Sequence, residues 1–311
     1  MTLARFLVGR LATGVLVLWA AATLTFVMMQ LTGGDIAVAI LGGPDAMPTA
    51  EQLEKVRAEY GLDRPLLAQY AEWLGKLIQG DLGQSYRLRI PVAEAIGEQA
   101  WSTVSLTLTA ATFSLVTAIV VALLTARRRN AWIARISSGV ELVLISIPVF
   151  VIGIALLLVF AFYFPVLPVA NAPGLGGLIL PALTLSLAMA PTLTQILRQE
   201  LEDVLEQPFI LTARSRGLSE AATRVGHALR HALGPIVTLS GFMFAALMAG
   251  AAVTETLFSR PGIGRLMVEA TTATDIPVVI GVTVLSAVFY VVASIVVDVL
   301  GTFLDPRTAL A

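Results

Sequence analysis

Six long apolar runs constrain this chain more than any other feature. They are Leu11–Met29, Trp101–Ala126, Gly139–Phe164, Leu175–Leu197, Pro235–Phe258 and Ile276–Leu304. Each is close to, or longer than, the roughly 20 residues that cross a bilayer as a helix. The runs are too long and too uniformly apolar for tilted barrel strands, and a helix is the other structure that satisfies every backbone polar group within lipid. The sequence therefore predicts an all-α integral membrane protein with six transmembrane helices.

The composition favours the same class and excludes several others. Hydrophobic residues make up 57% of the chain and charged residues only 13%, too little polar surface for a soluble globule of this length. The net charge of −1 argues against a nucleic-acid partner, which normally requires a basic surplus. Cysteine is absent, so the chain forms no disulfide and carries no thiolate metal site.

The first apolar run has two interpretations. A signal peptide is one, because Ala20–Ala22 could imitate a cleavage site. The run continues past these alanines, however, and exceeds the roughly 7 to 15 apolar residues of a signal-peptide core. We therefore predict that residues 1–32 form a retained transmembrane helix.

Residues 33–100 are more polar and are predicted to form a separate helical segment. Thr49 and Gln52 have the spacing of a capping box for a helix that ends at Gly61. Pro65 opens a second helix that ends at Gly80. In this second helix one apolar face is predicted, formed by Leu66, Tyr70, Trp73, Leu74 and Leu77. Residues 101–311 are assigned to a five-helix transmembrane core.

A polar stretch from Phe209 to Pro235 interrupts this core with four arginines and two histidines. Gly217 predicts a turn with positive φ, and Ser219 is placed to cap a following helix. The spacing of Ala222, Val225 and Leu229 predicts a packed face, with Arg224 and Arg230 pointing away from it. The stretch reads as helix, glycine turn, helix at a membrane surface. A solvated connection without a partner is the alternative.

The residues of this stretch resemble a known family. Thr212–Ser219, T-A-R-S-R-G-L-S, and His227–Pro235, H-A-L-R-H-A-L-G-P, are similar to the "EAA" loop of binding-protein-dependent ABC importer permeases of the dipeptide, oligopeptide and nickel group. The general Glu-Ala-Ala is replaced by Leu211, Thr212 and Ala213, and the literal Glu220-Ala221-Ala222 after the glycine is coincidental. The resemblance implies that the loop docks on a separate ATPase subunit. The implied docking residues are Thr212, Ala213, Arg214, Arg216, Gly217, Leu218, Ser219, Glu220 and Ala221.

Other segments carry the same resemblance. They are Gly61–Tyr70, Gly80–Tyr86, Glu255–Leu266, Asp275–Val279 and Val296–Arg307. The family's Pro-Gly-Asp-Pro is replaced by Gly33-Gly34-Asp35-Ile36, so both prolines are missing. The resemblance implies an external helical segment between the first two spans and a cytoplasmic coupling-helix loop, residues 198–234, between the fourth and fifth. We call residues 198–234 the coupling loop.

The implied function is transport. The chain would form half of a translocation pathway for peptides, together with a second permease, two ATP-binding subunits and an external substrate-binding protein. It has no G-x-x-x-x-G-K-[ST] motif, so ATP hydrolysis would come from another chain. Nickel or metal-chelate import by the same architecture is one alternative, and a non-transporting membrane scaffold is another. No cofactor and no enzymatic activity are expected.

Arginine placement predicts the orientation. Twelve of the twenty basic residues fall on one side of the predicted spans. They are Arg5, Arg10, Arg127, Arg128, Arg129, Arg135, Arg198, Arg214, Arg216, Arg224, Arg230 and Arg307. Cytoplasmic loops carry such an excess. Both termini and the coupling loop are therefore predicted to be cytoplasmic, in a multi-pass protein of the bacterial inner membrane.

A few residues within the runs are candidates for special roles. Glu141, Glu255 and Asp298 are acidic, but each lies toward a predicted helix end, which favours contact with the membrane interface. Pro148 and Pro191 could bend helices around a pathway, but the interpretation preferred here is that of tolerated prolines, since proline is simply more frequent in spanning helices. Small residues in the fifth run suit close helix packing, either within the chain or with a second permease. They are Gly241, Ala245, Ala246, Ala249, Gly250 and Ala252.

His227 and His231 could share a metal, but no H-E-x-x-H pattern is present and no metal site is predicted.

Overall fold

The computed structural model describes residues 3–31, 36–42, 47–126, 131–168, 174 and 176–304. These residues are mainly helical. The α-helices are α1 (Leu3–Leu31), α2 (Ile36–Ile40), α3 (Ala50–Tyr60), α4 (Leu66–Ile78), α5 (Val92–Thr125), α6 (Ala131–Ser146), α7 (Val149–Leu157), α8 (Gly176–Leu205), α9 (Pro208–Ser215), α10 (Glu220–Thr223), α11 (Leu229–Ala232), α12 (Gly234–Leu257), α13 (Ile263–Thr272) and α14 (Ile276–Leu304). Two π-helical turns, Leu158–Tyr163 and Arg224–Ala228, continue α7 and join α10 to α11.

Three helices of the described chain, α5, α8 and α14, are long and apolar enough to cross a membrane. The α6 and α7 pair meets the same test only when taken together, and shorter apolar stretches lie at Ala12–Met28 and Ala246–Leu257. The bounds of α14 coincide with the sixth predicted run. By contrast, α5 begins at Val92 rather than Trp101, and α8 continues to Leu205. Arg198 therefore lies inside α8 and not in a connection, so from here on the term coupling loop refers to residues 206–234, after the end of α8.

Pro148 breaks the third run. The segments Trp132–Ser146 and Val149–Tyr163 meet at an angle of 105°. Pro148 itself has an extended ψ of 142° and stands directly before α7. Proline lacks the backbone N–H of a helix interior and its ring clashes with the preceding turn. The interpretation of Pro148 as a tolerated proline is therefore wrong, whereas Pro191 lies buried inside the continuous α8 as expected.

The chain divides into two compact units, of which the first consists mainly of Thr103–Arg260. Its interior includes a cluster of small and medium side chains from α5, α8 and α12, among them Leu106, Ala110, Leu185 and Ala251. A Cβ added at Gly250 would lie 2.9 Å from the Leu185 side chain. Gly250, one of the small residues of the fifth run, therefore serves a helix contact within the chain.

The second unit contains Thr2–Ser102 and Pro261–Val291. Its α3 has the predicted capping box between Thr49 and Gln52, and Gly61 ends it with φ 64°. The predicted apolar face of α4 is half-buried except for Leu66, which is exposed. Tyr70 on this face shares a 2.7 Å hydrogen bond with Thr23 of α1, and its ring packs edge-on against Phe26. Both helices therefore form largely as the sequence predicts.

Asp275 fastens the segment before α5 to the turn between α13 and α14. Its buried carboxylate accepts hydrogen bonds from the Ser85 hydroxyl and from the backbone N–H groups of Tyr86 and Arg87. The two backbone bonds measure 3.1 and 3.2 Å. Burial raises the pKa of the Tyr86 hydroxyl well above its usual range, and Tyr60 and Asp275 add to the shift. We call these contacts the Asp275 clasp.

Candidate functional site

The coupling loop contains the predicted pair of short helices. Pro208 occupies the first turn of α9, where a missing N–H costs nothing. The helix ends at Ser215, and Gly217 follows with φ 83°. A Cβ added at Gly217 would meet no atom within 4 Å, so glycine is favoured here by backbone conformation and not by lack of space. The predicted glycine turn is confirmed.

The second short helix begins with the predicted cap. Ser219 has extended backbone angles and its hydroxyl accepts a 3.2 Å hydrogen bond from the Ala222 N–H. Across the turn, Arg214 Nε lies 3.1 Å from the Glu220 carboxylate. Both side chains are more than two-fifths exposed, so this ion pair contributes at most about 1 kcal/mol. The pair aligns α9 with α10 but does not by itself hold the loop in place.

Burial of apolar side chains holds the loop on the membrane helices. Ile210, Ala228 and Ala232 are fully buried, in one cluster with Leu197 and Leu201 of α8. Fully burying a side chain the size of Ile contributes about 1.5–3 kcal/mol. This anchoring fixes the loop from both sides of its glycine turn.

The packed face of the second piece agrees with the prediction at Leu229, which packs against the buried cluster, and differs from it elsewhere. Thr223, Ala228 and Ala232 are buried, whereas Ala222 and Val225 are exposed. The π-helical turn Arg224–Ala228 accounts for the difference. A π turn bonds residues five apart, so Thr223 and Ala228 come to one side. The α-helical spacing therefore predicts Leu229 correctly but misplaces Ala222 and Val225.

Arg224 points inward, contrary to the prediction. Its side chain is 12% exposed, and its Nη1 donates a 3.0 Å hydrogen bond to the Leu123 carbonyl near the end of α5. The last four carbonyls of a helix lack intrahelical partners and attract cations. Arg224 is therefore a tether between the loop and α5. The sequence did not indicate this role of Arg224, because residue spacing reveals neither the π turn nor the proximity of the end of α5.

The opposite side of the loop is exposed. Of the docking residues that the resemblance implies, Ala213 is buried and the others are exposed. Three large apolar side chains of the same segment are also exposed, Leu211 by 68%, Leu218 by 40% and Val225 by 57%. Exposed apolar side chains rimmed by polar ones are typical of a protein-binding surface. We call this exposed side, from Leu211 to Val225, the docking face. Leu211 and Val225 are not among the docking residues that the resemblance implies.

Two of the three acidic candidates are buried and bonded, so the interpretation that they reach the interface is wrong for them. Glu141 in α6 forms an ion pair with Arg198 of α8, and its side chain is 6% exposed. Glu255, near the end of α12, is fully buried and accepts a hydrogen bond from Thr103 of α5. The bonding partners of Glu141 and Glu255 lie far away in the sequence. The position of each residue within its helix therefore could not indicate that it is buried. The third candidate, Asp298, has a side chain that lies outside the described residues.

The two histidines are exposed on the loop. The His231 ring packs against Phe209, with centroids 5.0 Å apart. Within the described residues, no group of three His, Cys, Asp or Glu side chains is arranged to hold a metal ion.

Apolar helices long enough to cross a bilayer, together with a helical loop that is anchored on one side and exposed on the other, define a membrane protein with a surface open to a partner. It belongs to the family described as binding-protein-dependent transport system inner membrane component, whose model matches residues 118–310. The family's N-terminal model matches residues 3–107. The chain is thus a permease subunit of a binding-protein-dependent ABC importer.

Relatives and a solved structure agree with this assignment. A putative peptide transport system permease protein of Brucella abortus (strain 2308) is 37% identical over 306 residues, covering 96% of each chain. A glutathione transport system permease protein of Escherichia coli (strain K12) is 33% identical over 301 residues, covering 97% of each chain. A chain from an inward-facing structure of the MetNI methionine ABC transporter superposes with a TM-score of 0.54 at 16% identity. That match covers 67% of this chain and 95% of the other, and it shows the fold.

Proposed function

We propose that this chain forms one half of a peptide translocation pathway in the bacterial inner membrane. The observation that carries the proposal is near full-length similarity to permeases named for peptide and glutathione transport. The assembly would comprise a second permease, two ATP-binding subunits and an external substrate-binding protein. Peptides, including glutathione, are the proposed cargo class.

In this proposal the docking face is the contact with an ATP-binding subunit. Burial of Ile210, Ala228 and Ala232 ties the loop firmly to α8, so a partner that binds the opposite side can move the membrane helices. The exposed apolar residues Leu211, Leu218 and Val225 would provide the apolar contacts of that interface. Arg214, Arg216 and Glu220 would form its polar rim, as charged residues do around protein interfaces.

The proposed topology has six spans. They are α1, α5, the bent α6–α7 pair, α8, α12 and α14. Residues 1–32 would be the first span with a cytoplasmic N-terminus, residues 33–100 an external segment, and residues 101–311 the remaining core. The arginine-rich coupling loop would face the cytoplasm with both termini, as the excess of arginine on that side favours.

An uptake assay tests the function. A strain lacking this chain, but with its proposed partners intact, is supplied with a labelled dipeptide, a tripeptide, glutathione or Ni²⁺. ATP-dependent uptake of at least one peptide that is lost on deletion and restored by the wild-type chain is the expected result. Restored uptake of Ni²⁺ alone would identify the metal alternative. Unchanged uptake of all four probes, with normal assembly of the partners, would indicate a scaffold and contradict the proposal.

A further inference from the structure

Arg198 joins three membrane helices at one buried point. Its guanidinium forms the ion pair with Glu141 and donates to two further hydroxyls of α6, Ser137 at 3.2 Å and Ser138 at 2.8 Å. Its Nε donates a 2.8 Å hydrogen bond to Thr125 at the end of α5. Only 12% of the Arg198 side chain is exposed. This arginine therefore connects α8 with both α5 and α6.

The ion pair of Arg198 and Glu141 lies between two parts of the fold. Leu197, the neighbour of Arg198, is buried in the same cluster as Ile210 of α9. On the other side, Glu141 belongs to the straight arm that precedes the 105° bend at Pro148. The ion pair thus lies between the anchor of the coupling loop and the bent α6–α7 arm.

The stability of the folded protein does not by itself account for an ion pair between Arg198 and Glu141. Buried ion pairs are often no more stable than well-packed apolar side chains of similar volume, because both charges lose their hydration. Within the part of the chain that the structure describes, Glu141 Oε2 also receives no hydrogen bond, which adds a further cost. Ionisable residues inside membrane segments commonly mark functional positions instead.

We propose that Arg198 and Glu141 are positioning residues that transmit movement of the coupling loop to the α6–α7 arm. The inference rests on the proposed function, since it requires that an ATPase moves the loop. In a closely packed interior, a shift of α8 driven through Ile210 and Leu197 would carry Arg198 with it. The ion pair and the two serine hydrogen bonds would then oblige α6 to follow. Loss of the pair would leave ATP hydrolysis without the matching movement of the arm.

The decisive variant replaces both partners by apolar side chains, Arg198→Met with Glu141→Leu. Each single change leaves one buried charge without its partner, so we expect reduced abundance of both single variants. The double variant removes both charges and should return to near wild-type abundance. Importer complexes are reconstituted in vesicles, and import of a labelled peptide that the wild type transports is divided by inorganic phosphate released. We expect this ratio to fall at least about fivefold in the double variant, the lower end of typical coupling between distant sites.

If Arg198 and Glu141 only stabilise the fold, the double variant should keep the wild-type ratio of import to phosphate release. If the double variant recovers both abundance and the wild-type ratio, the proposed link is wrong. If it does not assemble, Glu141→Gln decides, because glutamine keeps the size of the side chain and can still accept a hydrogen bond. Arg198 keeps a hydrogen-bond acceptor but loses its counter-charge, so abundance should fall less than in Glu141→Leu. The ratio, which does not depend on the amount of complex, should be lowered, and an unchanged ratio would overturn the proposal. Glu202→Gln, an exposed change on the same helix, is the matched control and should leave the ratio unchanged. Failure of the wild-type complex to import any peptide would instead contradict the proposed function.

Discussion

Arg224 Nη1 donates a 3.0 Å hydrogen bond to the backbone carbonyl of Leu123. The contact joins the π-helical turn of the coupling loop to the last turn of α5. It reaches a carbonyl in the last turn of α5, where helix carbonyls generally lack intrahelical partners, and it places a cation where the helix dipole favours one. The loop is thus fixed by this charge-assisted bond as well as by apolar burial.

Arg224→Ala should therefore weaken the loop, rather than act as a mild surface change. A hydrogen bond that involves a charged group contributes about 1.5–3 kcal/mol, so its loss should shift the loop's local equilibrium about tenfold or more. We expect less ATPase subunit recovered with the permease at equal membrane abundance, and slower uptake. The matched control is Arg230→Ala, because Arg230 is exposed on the same loop. Equal effects of the two substitutions would show that Arg224 does not tether the loop.

Local features of the fold could be predicted from the sequence. The capping box of Thr49 and Gln52, the positive φ of Gly217 and the cap formed by Ser219 each depend on a few adjacent residues. The apolar runs located the main helices for the same reason, since length and hydropathy are local properties. Their ends were less accurate, as α5 and α8 extend beyond the runs into polar sequence.

The contacts that organise the candidate site could not be predicted in this way. Glu141 and Arg198 are 57 positions apart, and nothing near either residue indicates the other. The π turn at Arg224–Ala228 changes the spacing that defines a packed face, so Val225 was placed inside and Arg224 outside. Whether a proline such as Pro148 bends a helix depends on the contacts of both halves, which a single run does not show.

The topology prediction concerns the side of the membrane on which the loop lies. A reporter fused after Gln207 should be cytoplasmic, and one inserted near Gly43 should be external, because arginine accumulates in short cytoplasmic connections. Paired fusions to an enzyme active only outside the cytoplasm and to a fluorescent protein active only inside give opposite signals at each position. The reverse pattern at both sites would place the coupling loop outside the cell and contradict its proposed partner.

The partner prediction concerns ATP. The sequence has no phosphate-binding G-x-x-x-x-G-K-[ST] motif, so the purified chain should release no inorganic phosphate from ATP. Release should begin when the two ATP-binding subunits and the second permease are added. The control replaces the lysine of the partners' phosphate-binding motif. Hydrolysis by this chain alone would contradict its assignment as a transport subunit without ATPase activity.

Asp275→Asn should loosen the Asp275 clasp. The buried carboxylate accepts hydrogen bonds from Ser85, Tyr86 and Arg87, and asparagine has one acceptor oxygen in place of two. Losing one charge-assisted bond costs about 1.5–3 kcal/mol. Trypsin should then cut after Arg87 or Arg89 about tenfold faster in the purified protein. Asp81→Asn is the control, because Asp81 is exposed and accepts a bond from the nearby Gly83 N–H. Unchanged cleavage of the Asp275 variant would show that the clasp does not hold this segment.

Gly217→Asp tests the turn at the centre of the coupling loop. At φ 83° a residue with a Cβ is strained, at a cost on the order of 1 kcal/mol or more, although the surrounding space is open. This cost is small compared with the burial of the apolar helices, so membrane abundance should stay near normal. The angle between α9 and α10 should change, and with it the docking face. We expect loss of uptake or of ATPase association.

Gly226→Asp is the matched control, because Gly226 lies on the same loop, has open space and does not have a positive φ. Gly217→Ala separates the backbone effect from the added charge and should reduce transport less severely. Full transport by Gly217→Asp would show that the loop is a passive connection, and equal losses in both aspartate variants would assign the effect to charge.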